Sequence, residues 1–212
     1  PVFRSADTLG ERVAGAAEAA APEQSLVYVY DGDLDTTGHR AGCGSLAWQH
    51  QLTMVDRFAE ELFDALPAGT TLVVTADHGM VDVDHANRID VDDLPALRDG
   101  VALVGGEARF RHVYAEPGAS SDVLAAWRAV LGDRATVLSR EAAVDAGWFG
   151  AVEGRVMDRI GDVVASVGGD CAVEIRSVFP VEASLIGLHG ALSADEMLVP
   201  LLVSGEPDPL RS

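Results

Sequence analysis

Apolar residues at helical spacing open the chain: Leu9, Val13, Ala16, Ala17 and Ala20 share one side of a helix with Asp7 or Thr8 as its N-cap, and Pro22 closes it. The run SLVYVYD, residues 25–31, is too continuous in its β-branched and aromatic content to be half exposed, which predicts a central strand. AWQHQLTMVDRFAEELFDAL, residues 47–66, sets Leu52, Val55, Phe58, Leu62 and Leu66 on one helix face and stops at Pro67. TTLVVTA, residues 70–76, is the next buried strand. Strand, helix, strand in this rhythm predicts a parallel α/β sheet, whose ligand sites gather at the carboxyl ends of its strands.

The middle of the chain changes character. Residues 81–97 are acidic and loop-like; VALVGG and ARFRHVYAEPG then read as strands, SSDVLAAWRAVLG as a capped helix and ATVLS as another strand. This predicts a small α+β unit, residues 85–158, inserted into a core made of 1–84 and 159–212. GDVVASVGGDCAVEI reads as a hairpin turning at Gly168-Gly169-Asp170, and MLVPLLVSG, residues 197–205, as a last strand with Pro200 marking an edge.

Composition narrows the classes. Hydrophobic content of 48% with 23% charged residues is that of a folded protein, and no apolar run reaches membrane-spanning length. The start has no basic or apolar leader pattern, so the expectation is a cytoplasmic protein with no membrane partner. The chain begins at Pro1 and has no introductory segment, which reads as a piece of a longer protein. The formal net charge is −19, and all 15 cationic residues are arginine. Such a surface repels a phosphate backbone and argues against general nucleic-acid binding. Cys43 and Cys171 lie far apart without a metal-binding spacing and read as small buried hydrophobes.

Three glycine-flanked segments carry the chemistry. DLDTTGHRAG places Asp35 and His39 four apart; TADHGM carries Asp77 and His78; His189-Gly190 precedes the last strand. Two carboxylates and three imidazoles suit zinc, with manganese and iron as looser alternatives, and the neighbouring glycines let the chain turn so that side chains converge. P-loop, GxGxxG and GxSxG patterns are absent from the sequence, which argues against nucleotide-dependent phosphoryl transfer and serine-hydrolase chemistry. Asp31 and Asp33 alternate with Asp35 and read as acceptors that orient a ligand histidine, or as a plain acidic loop. His50, His85 and His112 have no partner pattern. Arg109 and Arg111 read as salt-bridged surface residues, with contact to a substrate phosphate as the rival, and Trp127, Trp148 and Phe149 as packing residues.

These motifs, in this order, resemble the alkaline phosphatase superfamily and in particular its type I phosphodiesterase/nucleotide pyrophosphatase family. DLD-TTGH, TADHGM and HG…E-LVPLL carry the likeness, supported by RID, GEARFRHVYAEPG, SREAAVDAGWFG and RIGDVVAS. The resemblance implies an alkaline-phosphatase-like three-layer sandwich, a mostly parallel sheet flanked by helices, here incomplete at its N-terminal side. It implies hydrolysis of phosphate diesters or nucleotide pyrophosphates through two divalent ions, zinc first and manganese second. By motif position Asp35, His39 and His189 would hold one ion, and Asp77 and His78 the other. An early aspartate and a Thr or Ser nucleophile complete the family's second site; neither has a counterpart here, so this chain has one complete metal site and looks like the carboxyl-terminal portion of such an enzyme. Thr36 and Thr37 occupy a ligand position and make poor substitutes. Rival readings are a phosphomonoester, phosphonate or sulfate-ester hydrolase of the same superfamily, and a non-catalytic metal-binding fragment. The expected partners are a small phosphate ester and either a second copy or the missing N-terminal half.

Overall fold

The computed structural model describes residues 2–22 and 24–204. Its helices are α1 (Leu9–Ala20), α2 (Asp33–Ala41), α3 (Leu46–Ala65), α4 (Ser120–Leu131), α5 (Arg140–Asp145), α6 (Gly154–Met157) and α7 (Ala194–Met197). The strands are β1 (Leu72–Thr75), β2 (Val81–Asp82), β3 (Arg88–Asp90), β4 (Val101–Glu107), β5 (Phe110–Ala115), β6 (Ala135–Ser139), β7 (Val163–Val167), β8 (Ala172–Glu174), β9 (Gly187–Leu188) and β10 (Leu201–Ser204). The chain divides into two compact units, Pro1–Asp77 with Val199–Ser212, and His78–Leu198. This partition follows contacts, whereas the expected 85–158 insert followed composition.

In the first unit Thr8 caps α1, its side chain accepting the Glu11 N–H while Glu11 reaches back, so both orphan donors are satisfied. Ser45 caps α3 in the same way through the Trp48 N–H. Ala16 of α1 and Phe58 and Leu62 of α3 form a small core against which Val27, Val29 and Leu72 pack. The expected strand over 25–31 is not formed. Those residues are extended, with Val27 and Val29 turned to the helices and Leu26 99% and Tyr28 84% exposed. The reason is that an extended segment becomes a strand only when a neighbour accepts its backbone hydrogen bonds, and among the described residues none does. β1 corrects the expectation of a fully buried strand: its exposure alternates, and it pairs antiparallel with β10. Gly205, part of the expected last strand, lies outside the described residues.

The second unit is built on a four-stranded antiparallel sheet of order β4-β5-β7-β6. β7 is buried at all five positions, as a strand between two neighbours under covering helices must be. The expected hairpin of 161–175 does not form: β7 pairs with β5 and β6, while β8 pairs in parallel with β3. β3 and three short 3-10 turns replace the loop expected over 81–97, because Ile89, Val91 and Leu97 are core residues spaced among the acids. The α/β character of the expected fold is present; among the described residues its parallel pairing is confined to β3 and β8.

Trp127 of α4 centres the main core, fully buried with its indole N–H donated to the Leu97 carbonyl at 3.2 Å. Replacing it with alanine removes both a large apolar surface and that donor. Trp127→Ala should lower unfolding free energy by about 3–5 kcal/mol, read as a shifted midpoint in urea melts followed by circular dichroism.

Candidate functional site

In the first unit Asp35 and His39 lie on α2, a helix not expected from the sequence. The helical i,i+4 repeat stacks them on one face, and a carboxylate oxygen of Asp35 lies 3.3 Å from Nε2 of His39. A carboxylate and an imidazole presented side by side form a two-donor clamp suited to a divalent ion such as zinc. Asp31 does not serve a histidine: it pairs with Arg12 and accepts the Asp33 N–H at 3.2 Å, steadying the start of α2. The Thr37 hydroxyl donates to the Asp33 carbonyl at 2.7 Å, held along the helix as threonines in helices commonly are.

Tyr30 reports on the local field. Burial first, then the carboxylates of Asp77 and Asp35, with smaller contributions from Tyr28 and Asp31, hold its phenol above the ordinary value of 10.0. The acids expected at two different metals therefore act on one phenol, in a corner that is strongly anionic.

In the second unit the rings of His78 and His189 stack with centroids 3.6 Å apart and planes at 16°. Two segments separated by more than a hundred residues thus place their imidazoles in contact. Gly79 follows His78 and donates its N–H to the Glu196 carbonyl at 2.8 Å. A side chain at position 79 would put its Cβ 1.9 Å from the Asp195 carbonyl oxygen, so this glycine is required for close approach to α7. Gly190 is required for a different reason: its φ of 120° lies in the region L-residues avoid, and a Cβ there would meet the Glu107 side chain at 2.9 Å.

The two candidate phosphate-binding arginines are elsewhere. Arg109 and Arg111 are both fully buried, not on the surface. Arg109 forks onto Glu196 with Nε–Oε1 at 2.7 Å and Nη2–Oε2 at 2.8 Å. Arg111 donates to the Val173 carbonyl at 2.8 Å and to Glu182, and lies over the Phe179 ring. Guanidinium suits such sites because its five donors can all be matched. Arg109 in the turn before β5 and Arg111 on β5 are two residues apart, and both are buried; their acidic partners lie more than seventy residues away and were not legible. Glu196, the glutamate of HG…E, is the residue this reasoning missed.

His85 and His50 are exposed. His112 is half-buried, burial lowers its pKa, and its Nδ1 accepts the Gly161 N–H at 3.1 Å, so the neutral ring carries its proton on Nε2. Phe110, Trp148 and Phe149 meet edge to face, and with His112 and Gly190 they line a shallow cleft of about 280 Å³.

The family profile of type I phosphodiesterases and nucleotide pyrophosphatases matches residues 2–182. The chain belongs to that family. The match takes in Asp35, His39, Asp77 and His78 and stops short of His189. Among solved structures, human ectonucleotide pyrophosphatase/phosphodiesterase 5 is 20% identical with a TM-score of 0.73, over 97% of this chain and 54% of that one. The murine protein in complex with AMP gives 20% and 0.75 over the same shares. Phosphonoacetate hydrolase from Sinorhizobium meliloti 1021, in complex with phosphonoformate, is 25% identical with a TM-score of 0.60, over 84% of this chain and 46% of that one. This family member thus spans about half the length of these relatives and has their alkaline-phosphatase-like α/β fold. No curated protein sequence matches the chain.

Two outcomes follow from the geometry around α7. Gly79→Ala must displace the Asp195 carbonyl, so it should separate the His78 turn from α7 and expose the Gly79 amide to faster hydrogen exchange. Burial raises the Glu196 pKa, yet hydrogen bonds from Arg109, Ser193 and Ala191 outweigh it and hold the carboxyl below 4.5. A lowered folded value adds stability that is complete above 4.5 and is lost below it, as pH falls through the lowered folded pKa. Urea melts of Glu196→Gln should therefore show a shallower loss of stability across that acid window than the parent.

Proposed function

We propose that this chain is the metal-binding portion of an enzyme that hydrolyses phosphate diesters or nucleotide pyrophosphates. Asp35, His39 and His189 would hold one divalent ion, and Asp77 and His78 would contribute to a second, zinc being the best match to this donor set. The observation that carries the reading is the His78–His189 stack, in which imidazoles of two separate motifs lie 3.6 Å apart. The Asp35–His39 pair on α2 gives independent support, since it offers one carboxylate and one imidazole from a single helix face.

When bound, such ions supply positive charge that polarises the phosphoryl group and eases deprotonation of the attacking hydroxyl. The side chains themselves supply position. α2 fixes Asp35 against His39, and the close approach at Gly79 fixes His78. The nucleophile, a Thr or Ser, is expected from a segment outside these residues. That is consistent with a chain covering 54% of its relatives and with a Thr37 hydroxyl already committed to Asp33. The substrate is a small phosphate ester. A phosphonate is the second reading, favoured by the likeness to phosphonoacetate hydrolase at 25% identity.

In the full protein, zinc should support hydrolysis of bis(p-nitrophenyl) phosphate. Asp77→Ala and His189→Ala should each lower kcat/KM about a thousandfold, the several kcal/mol that a metal ion contributes to such a transition state, and each should reduce zinc content by elemental analysis. Unchanged zinc content and turnover would remove the assignment. A higher kcat/KM for phosphonoacetate than for the diester would move the substrate to the second reading.

A further inference from the structure

We propose that Glu196 is a positioning residue whose role is to hold the two histidine-bearing turns, His78-Gly79 and His189-Gly190-Ala191, in one fixed arrangement. The inference rests on the metal reading of those histidines and goes beyond it, since Glu196 offers no atom to a metal or a substrate. It acts through the main chain of both turns at once. Its carbonyl accepts the Gly79 N–H at 2.8 Å, and its carboxylate accepts the Ala191 N–H at 2.9 Å. One residue on α7 therefore grips the chain beside His78 and the chain two residues beyond His189.

The grip is itself anchored. Both carboxylate oxygens accept from the Arg109 fork, and Oε2 also accepts the Ser193 hydroxyl. The remaining Arg109 nitrogen, Nη1, donates to the Cys171 carbonyl at 2.6 Å, just ahead of β8. A continuous line of hydrogen bonds thus runs from the sheet core through Arg109 and Glu196 to both turns. Glu196 is 2% exposed and Arg109 is 0% exposed, so water is kept from the ion pair at the centre of this line.

A buried ion pair is poor evidence of a stability role, because an apolar pair of similar size is often as stable. What the carboxylate provides and an apolar residue cannot is a set of directed acceptors. Metal sites need that direction, since ligand atoms must sit within a few tenths of an ångström of their places. The His78–His189 stack, with its 16° interplanar angle, is the arrangement being held.

Three measurements on the full protein test this: zinc affinity by chelator competition, the thermal midpoint, and in metal-free protein the NMR contact between the His78 and His189 ring protons. Glu196→Gln keeps the shape but puts an amide donor among donors. It should weaken zinc binding about tenfold to a hundredfold and abolish the ring contact. The double variant Arg109→Met with Glu196→Met should recover much of the thermal midpoint while zinc affinity and the ring contact stay lost. Recovery of all three would reduce the pair to packing and overturn the proposal, as would a Glu196→Gln protein with a lower midpoint but parental zinc affinity and ring contact. If the parent takes up no zinc, the metal reading fails by itself. The positioning role then stands or falls on whether Glu196→Gln abolishes the ring contact.

Discussion

A guanidinium enclosed in an apolar interior needs partners for its donors, and three such groups organise the second unit. Arg109 and Arg111 are met at every nitrogen, while Nε of Arg88 has no hydrogen-bond partner among the described residues. Arg109 and Arg111 have no exposed surface, and the Arg88 side chain is 2% exposed. Their donors end on backbone carbonyls: Val83, Ala183 and Leu185 for Arg88, Cys171 for Arg109, Gly106 and Val173 for Arg111. These carbonyls belong to several strands and to the irregular links between them, so each arginine ties together segments remote in sequence. The arginines serve as internal cross-braces, and both histidine turns hang from one of them.

This dependence explains what could be read in the sequence and what could not. α1 and α3 were legible because their caps and apolar spacing are local, and a helix satisfies its own backbone. α4 was legible from its apolar spacing alone, since the expected cap is not made and Ala119 stands at its N-cap without a side-chain hydrogen bond. The segment over 25–31 and β1 were over-read, because burial of a strand is decided by neighbours remote in sequence. β7 and β8 were wrongly joined as a hairpin. Their glycine turn is real, but the buried faces of Val163–Val167 find better partners in β5 and β6.

At the candidate site the residue types were legible and their supports were not. Asp35, His39, Asp77, His78 and His189 stand out through their motifs. α2 was not foreseen, although a helix explains the four-residue spacing without special pleading for Gly38. The need for glycine at position 79 was anticipated as a turn, whereas its cause is the Asp195 carbonyl occupying the space of a side chain. Glu196 was hidden because its importance lies in an arginine eighty-seven residues earlier.

The field felt by Tyr30 has a consequence for how cation and substrate would depend on each other on the proposed enzyme. The carboxylates of Asp77 and Asp35 that keep the phenolic proton in place would also repel an approaching phosphate. An anionic ester would gain attraction to that corner from cationic charge held there. On the proposed enzyme cation and substrate would then be thermodynamically linked, each tightening the other by the same factor.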